Sequence, residues 1–264
     1  MKTSLKFWIL ASSLSLVTLV PVACGVEGVE KPPPTEQSRT SQVSHRSNDP
    51  TEHQVRVDFP LALGNTWVYS GTFYQGFNPT TILTATYTAT ERVVDVLHSE
   101  LEPYTIFQIA RYEDLVFCPE EWQERSENWC ASLASDEPEY YWYVVDGRTV
   151  YRQQRLEVYR LHERGIKELV LPLAEGEQWY LSAAMAEANP NYEVDSMLRH
   201  VEQRAPREVP AGDFGECFRM VEVIGGNYNE MWVCTEIGIV ERATDHRGTP
   251  FGEHEVLIDY VFPE

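Results

Sequence analysis

The sequence is short of positive charge. Its 264 residues include 21 Lys and Arg against 41 Asp and Glu, so the formal net charge at pH 7 is −20. Such a chain repels the phosphates of nucleic acids and the headgroups of anionic lipids. We therefore exclude a nucleic-acid partner and electrostatic docking to a membrane surface.

Catalytic and metal-binding motifs are also missing. The sequence contains no G-x-S-x-G nucleophile elbow, no phosphate-binding P-loop, no H-E-x-x-H pair and no C-x-x-C. In "GEHEV" (252–256), His254 stands between Glu253 and Glu255, but on a strand the two glutamates face one side and the histidine the other. We predict no catalytic residue, no metal site and no cofactor.

Long apolar runs are absent after residue 23. Residues 7–23 form a 17-residue apolar run behind a short basic start with Lys2 and Lys6, which is typical of a secretory signal. The stretch Ala23-Cys24-Gly25 resembles the end of a bacterial lipoprotein signal, where the cysteine receives the lipid, although Pro21 departs from that pattern. We predict a signal peptide over 1–23 and lipid attachment at Cys24. The alternative is an unmodified cysteine in a discarded or uncleaved signal.

Cysteine is scarce, and its count supports export. The chain has five, so setting Cys24 aside leaves an even four: Cys118, Cys130, Cys217 and Cys234. An exported chain meets oxidising conditions, so we predict two disulfides.

A hairpin predicts how the cysteines pair. If Gly225-Gly226 is a two-residue turn, residues 224 and 227 face each other, and counting outward places Cys217 directly opposite Cys234. Cys118 then pairs with Cys130. A longer loop at 227–229 would instead slip the register and set the cysteines diagonally or on opposite faces.

The chain divides into a leader, a tether and one domain. Residues 24–54 lack aromatic residues and are rich in Pro, Ser, Glu and Thr, a composition that does not bury enough apolar surface to fold. We predict a disordered, lipid-anchored tether there. Residues 55–264 are sufficient for a single β domain with a substantial core.

Strand patterns dominate this domain. Apolar alternation runs through 81–96, 104–112, 155–164 and 216–224, and Asp146-Gly147 marks a further hairpin. Residues 119–134 form the best helix candidate, with Pro119 at its start.

An internal repeat predicts the architecture. The block "PLALGNTW" (60–67) returns as "PLAEGEQW" (172–179), and three further blocks recur in the same order. We interpret these as two related meander halves, about 60–171 and 172–262. The predicted fold is all-β: an antiparallel curved sheet, barrel-like or sandwich, of ten to twelve strands. Trp67 and Trp179 are expected to plug the ends of the core.

The same blocks carry a family resemblance. "FPLALGNTWVYS" (59–70), "VPAGDFGECFRM" (209–220) and "MWVCTEIGIVER" (231–242) resemble an uncharacterised family of bacterial cell-envelope lipoproteins and secreted β proteins with a P-L-x-x-G-x-x-W-x-Y motif. The resemblance implies an exported β domain and brings no catalytic residue. Here Glu236-Ile237-Gly238 replaces the glycine-rich variant usual near the end of the domain.

Aromatic residues between 122 and 151 are the candidates for ligand binding. They either pack in the core or line a cleft for a ligand. The predicted disulfide closes the loop 118–130, and we expect this loop to be the recognition segment. The cleft residues would be Trp122, Trp129, Trp142, Tyr141 and Tyr143.

The leading functional hypothesis is an extracytoplasmic, lipid-anchored, non-catalytic binding or assembly module of the cell envelope, held on the cell membrane or outer membrane. Its partner would be an envelope protein or an apolar ligand. An apolar cavity between the halves would favour a carrier, whereas a filled core would favour a scaffold. The alternative is a secreted hydrolase that uses paired carboxylates.

Overall fold

A computed structural model of the chain describes residues 59–78, 81–99, 102–123, 130, 135–157, 161, 165–182, 197–224 and 226–263. The chain divides into a unit Met1–Pro50 and a unit Thr51–Glu264, and every described residue belongs to the second. The predicted signal, tether and lipid site at Cys24 lie outside the described residues. Within these residues, no helix has the length and apolar character needed to cross a membrane.

The described residues form twelve β-strands and one short helix. The strands are β1 (Thr66–Asn78), β2 (Thr81–His98), β3 (Tyr104–Phe117), β4 (Ser135–Asp146), β5 (Thr149–Gln153), β6 (Ile166–Val170), β7 (Gln178–Tyr180), β8 (Leu198–Val209), β9 (Gly212–Ile224), β10 (Asn227–Cys234), β11 (Gly238–His246) and β12 (Phe251–Val261), and the helix is α1 (Glu120–Gln123).

All twelve strands belong to one antiparallel sheet that curls into a nearly closed barrel. Their order is β6-β5-β4-β3-β2-β1-β12-β11-β10-β9-β8-β7, so β6 and β7 are the two edges. These edges meet at a seam, where Lys167 N donates to Leu181 O over 2.8 Å and Trp179 Nε1 donates to Lys167 O over 3.0 Å. The predicted all-β class is confirmed, and the barrel-like alternative is the one observed.

Alternation along the strands explains the curl. On β2, the side chains from Leu83 to Ala89 alternate between the buried interior and a partly exposed outer face of threonines. A sheet with one apolar face buries that face by closing on itself, which also covers most of its edges.

The sheet consists of two six-stranded meanders joined by the pairing of β1 with β12. The recurring sequence blocks fall on strands six places apart, and the turns before β1 and β7 match closely. Gly64 and Gly176 both adopt positive φ (87° and 86°), and their N–H groups donate to Val93 O and Val201 O over 2.9 and 2.8 Å. Common descent of the two halves stays a prediction.

The hairpin count for the cysteines is confirmed. Asn227 faces Ile224, and Cys234 faces Cys217, with 3.9 Å between the Cα atoms of the two cysteines. The second predicted pair, Cys118 and Cys130, also lies at disulfide-bonding distance, with its Cα atoms 6.0 Å apart. Cys24 is therefore the cysteine left over.

Two sequence predictions need correction. In the stretch 155–164, the described residues 155–157 and 161 are not strand, because Leu156 and Leu161 pack on the outer face of the sheet against a small apolar cluster instead of pairing. The helix predicted over 119–134 is the four-residue α1, together with a helical residue at 130, in the part that the structure describes.

Gly71 supplies a stability prediction. It lies directly opposite Tyr87, and a Cβ at Gly71 would overlap the buried Tyr87 ring. Gly71→Ala is expected to lower the free energy of unfolding by about 1–3 kcal/mol, because an overpacked core must distort. The control is Gly215→Ala on β9, where a Cβ meets nothing within 4 Å. Urea unfolding that ranks the two variants equally would contradict this packing.

Candidate binding site at the loop-bearing end

The two ends of the barrel differ in their connections. Because neighbouring strands run antiparallel, successive connections alternate between the ends. At one end the connections have two to seven residues. At the other, three are long: 118–134, 154–165 and 181–197. We call this the loop-bearing end. Long loops on a rigid sheet are where binding residues concentrate.

Trp122 of α1 enters the barrel at the loop-bearing end. Its side chain is only 1% exposed, and its ring lies 5.6 Å from that of Phe73, which in turn packs 5.3 Å from Phe251. Cys130, at the far side of the disulfide loop, is also buried in this core. The loop is therefore anchored by an indole as well as by its disulfide.

The predicted aromatic residues do not share one surface. Tyr141 and Tyr143 are buried in the barrel interior in an edge-to-face pair with 5.4 Å between ring centroids. Trp142 lies on the opposite face of β4, against the outer cluster that contains Ile106. Trp129 lies outside the described residues. The described members therefore act mainly as packing groups.

Charged side chains occupy the middle of the barrel. Glu91, Arg111, Arg242 and Glu255, from β2, β3, β11 and β12, form what we call the central ion cluster. Arg111 Nη1 lies 2.8 Å from Glu91 Oε1, and Arg242 Nη2 lies 2.5 Å from the same oxygen. Both arginines also pair with Glu255. The cluster thus ties the first meander to the second.

Hydrogen bonds extend the central ion cluster toward the loop-bearing end. Arg111 Nε donates to Glu113 Oε1 over 2.7 Å. The Tyr87 hydroxyl contacts Glu255 Oε1 at 2.8 Å and also approaches Glu253. Both oxygens of Glu255 are therefore occupied by donors.

A second group of charges crosses the seam. Arg199 on β8 pairs with Glu222 on β9 at 2.6 Å and with Glu168 on β6 at 3.3 Å. All three side chains are buried. Because β7 lies between β6 and β8, this seam ion cluster reaches over the short edge strand and fastens the two ends of the sheet together.

The central ion cluster keeps its carboxylates ionised. Burial alone would raise the pKa of Glu255, but the guanidinium groups of Arg242 and Arg111 outweigh it and hold this pKa at about 2. The same balance lowers the pKa of Glu91. Glu253 behaves oppositely: burial and the neighbouring Glu255 raise its pKa.

These shifts predict acid sensitivity. A carboxylate whose pKa is lower in the folded than in the unfolded state stabilises the fold above its unfolded pKa, and that contribution disappears as the pH falls through the folded value. For Glu255 this loss runs from about pH 4.5 down to about 2 and amounts to about 3 kcal/mol. Urea unfolding at stepped pH should show the decline, and Glu255→Gln should reduce its slope. An unchanged slope would contradict the assignment.

Arg152 on β5 is arranged differently from the other interior arginines. Its guanidinium carbon lies 4.6 Å from the centroid of the Tyr141 ring. Its Nε and the Tyr141 hydroxyl are among the buried polar atoms that lack a hydrogen-bond partner. The acid that most strongly favours its charged form is Glu168, which is already paired to Arg199.

A cavity of about 10 Å³ lies beside Glu91 of the central ion cluster and has room for about one water molecule. It is lined by Glu91, Tyr141 and Tyr143 together with apolar side chains that include Phe59 and Trp67. An apolar cargo does not fit in such a space. This part of the interior resembles the filled core of the scaffold hypothesis rather than the cavity of a carrier.

The outer face carries the remaining sequence candidate. His254 points away from Glu253 and Glu255, as the alternation on β12 predicts, and its Nε2 lies 2.9 Å from Glu241 Oε1. Within the described ranges, no three His, Cys, Asp or Glu side chains lie in a geometry that could hold a metal ion.

Sequence reasoning missed both ion clusters, although a signal for one existed. In "ATYTATERVV" (85–94), Ala85, Tyr87, Ala89 and Glu91 occupy alternate positions, so the period of two places Glu91 on the inner face. The same reasoning would have flagged it as a charge in need of a buried partner.

Fold and interior together define a class: an up-and-down antiparallel barrel with a charged interior and two disulfides. No family model and no curated protein matches the sequence. Among solved structures, a candidate lipoprotein from Parabacteroides distasonis is similar over 78% of this chain and 98% of its own, with 11% identity and a TM-score of 0.43. A candidate exported protein with a YmcC-like fold from Bacteroides fragilis is similar over 77% and 98%, with 11% identity and a TM-score of 0.39. At these values the function must be argued from the residues of this chain.

Proposed function

We propose that this chain is an exported, lipid-anchored binding module of the bacterial cell envelope. The observation that carries the proposal is the pairing of the four domain cysteines at disulfide distance, which leaves Cys24 as the odd cysteine at the end of an apolar run. Disulfides persist in oxidising compartments, and a lone cysteine behind such a run is the position that a lipoprotein signal modifies.

The binding surface in this proposal is the loop-bearing end. Three long connections leave the sheet at this end, and one of them is closed by Cys118–Cys130 and anchored by Trp122. Rigid anchoring lowers the entropy lost when a loop binds a partner. The opposite end has only short turns and offers no comparable surface among the described residues.

The hydrolase alternative gains no support from the central ion cluster. A glycosidase pair needs one carboxyl group that donates a proton at its working pH. Glu253 has the raised pKa that such an acid needs, but its neighbour Glu255 has a lowered pKa and both of its oxygens are held by Tyr87, Arg111 and Arg242. Glu91 also has a lowered pKa and is paired with both arginines. The second carboxylate of a glycosidase pair, the free base or nucleophile, is therefore not supplied by Glu91 or Glu255.

The test is the intact mass of the full chain, expressed in a bacterial host and extracted from its membranes. We expect a mature chain that begins at Cys24 and carries a lipid, and a gain of four hydrogens on reduction, since two disulfides open. The matched control, Cys24→Ser, should carry no lipid. A wild-type chain that begins elsewhere without lipid, or that has free thiols before reduction, would overturn the proposal.

A further inference from the structure

Arg152 stands apart from the other arginines that point into the barrel. Arg111, Arg199 and Arg242 each pair with at least two glutamates. Arg152 makes no ion pair and no hydrogen bond with any part of the chain that the structure describes, and its Nε is buried. A buried donor without an acceptor is unusual in a folded protein and calls for a partner such as water, an ion or a ligand.

The side chain is nevertheless held in place. Arg152 faces Tyr143 across the β4–β5 pair, and its guanidinium stacks on the ring of Tyr141, itself fixed edge-to-face against Tyr143. Stacking on an aromatic face involves the plane of the guanidinium, so the tyrosine rings use none of its N–H groups. The guanidinium of Arg152 is therefore held in one orientation before any ligand binds.

Its position gives access. Arg152 is the last residue but one of β5, directly before the 154–165 connection of the loop-bearing end. The side chain is part-buried, so solvent reaches some of it.

We propose that Arg152 anchors a binding site for the carboxylate group of an organic ligand. The Nε–Nη edge of a guanidinium matches the two oxygens of a carboxylate in a bidentate pair. This inference deepens the proposed function and rests on the loop-bearing end being the binding surface.

The surroundings select a singly charged ligand. Glu168 of the seam ion cluster is the acid that acts most strongly on Arg152, and the whole chain carries a net charge of −20. Repulsion grows with the charge of the ligand, so a dianion such as phosphate is disfavoured relative to a carboxylate.

The experiment follows the Nε–Hε resonances of the arginines by NMR in the folded full chain, while benzoate, acetate, inorganic phosphate or benzyl alcohol is added. We expect benzoate and acetate to shift one arginine resonance saturably. This resonance should disappear in Arg152→Gln. Phosphate and the neutral benzyl alcohol should not produce a saturable shift.

Variants separate the site from general charge effects. In Arg152→Gln, benzoate affinity measured by calorimetry should fall at least about tenfold, since a charge-assisted bidentate pair is lost. The benzoate affinity of Arg152→Lys should lie between those of the wild type and Arg152→Gln, because lysine keeps the charge but cannot form the bidentate pair. The control is Arg155→Gln, an exposed arginine three residues along, which should bind as the wild type does.

Several results would overturn the inference: no saturable shift with either carboxylate, a shift that survives in Arg152→Gln, or tighter binding of phosphate. If Arg152→Gln does not fold, the wild-type titration and Arg152→Lys still decide the question. None of these outcomes alters the mass of the mature chain, so failure here is distinct from failure of the lipid-anchor proposal.

Discussion

Replacing Arg111 with Met is expected to lower the free energy of unfolding by about 3–5 kcal/mol, because the change leaves buried carboxylates without their cation. Arg111 pairs with Glu91, Glu113 and Glu255, and the first and last of these are almost fully buried. Arg242 alone would then have to balance both Glu91 and Glu255. Urea unfolding at pH 7 measures the effect directly.

A surface arginine provides the matched control. Arg204 pairs with Glu216 at 2.8 Å, but both side chains are about half exposed, so Arg204→Met should cost no more than about 1 kcal/mol. The double variant Arg111→Met, Glu91→Met leaves one arginine and one glutamate in the central ion cluster. We expect it to be more stable than Arg111→Met alone, since what costs stability is the unpaired charge. A double variant less stable than the single one would contradict this account.

Trp122→Ala is expected to destabilise the domain by about 3–5 kcal/mol, the usual cost of removing a buried indole and leaving a cavity. The side chain is 1% exposed and packs against Phe73 at the loop-bearing end. Its removal should therefore loosen the disulfide loop as well as the core. Urea unfolding gives the first effect, and faster amide exchange at residues 118–123 gives the second.

Val116→Ala serves as the control for this site. Val116 lies on the adjacent strand β3 and is 69% exposed, so its truncation should change stability by no more than about 0.5 kcal/mol. A cost below about 1 kcal/mol for Trp122→Ala would mean that α1 leaves the core in solution, and the loop-bearing end would then lose its rigid anchor.

Local signals predicted much of the fold. The alternation in β2, β3 and β9 has a period of two, and Gly225-Gly226 sets the register that places Cys217 opposite Cys234. The barrel itself depends on the curl of the sheet and on the short seam between β6 and β7, which no local pattern specifies. The strand predicted over 155–164 is wrong in its described part for a related reason: the sequence alternates, but Leu156 and Leu161 pack on the outer face of the sheet and do not pair with a strand.

The charged interior could not be read in the same way. Glu91 and Arg242 are 151 residues apart, and Arg111 and Glu255 are 144 apart, so their pairing appears only once β1 has joined β12. With 41 acidic residues in the chain, no single glutamate stands out by type. Arg152 could not be singled out from the sequence either. It differs from the other interior arginines because its Nε lacks a hydrogen-bond partner, and only the structure shows this.

The pairing of β1 with β12 has a consequence for the growing chain. β1 is among the first parts of the domain to be made, yet one of its two neighbours spans Phe251–Val261 and is made last. Until then, β1 presents an open edge that neighbouring chains can extend. A truncation that removes β12 would split the sheet in its middle. Joining residues 59 and 263 by a linker and reopening the chain between β6 and β7 would instead make every strand pair sequential, so that each strand finds its partner as soon as it emerges.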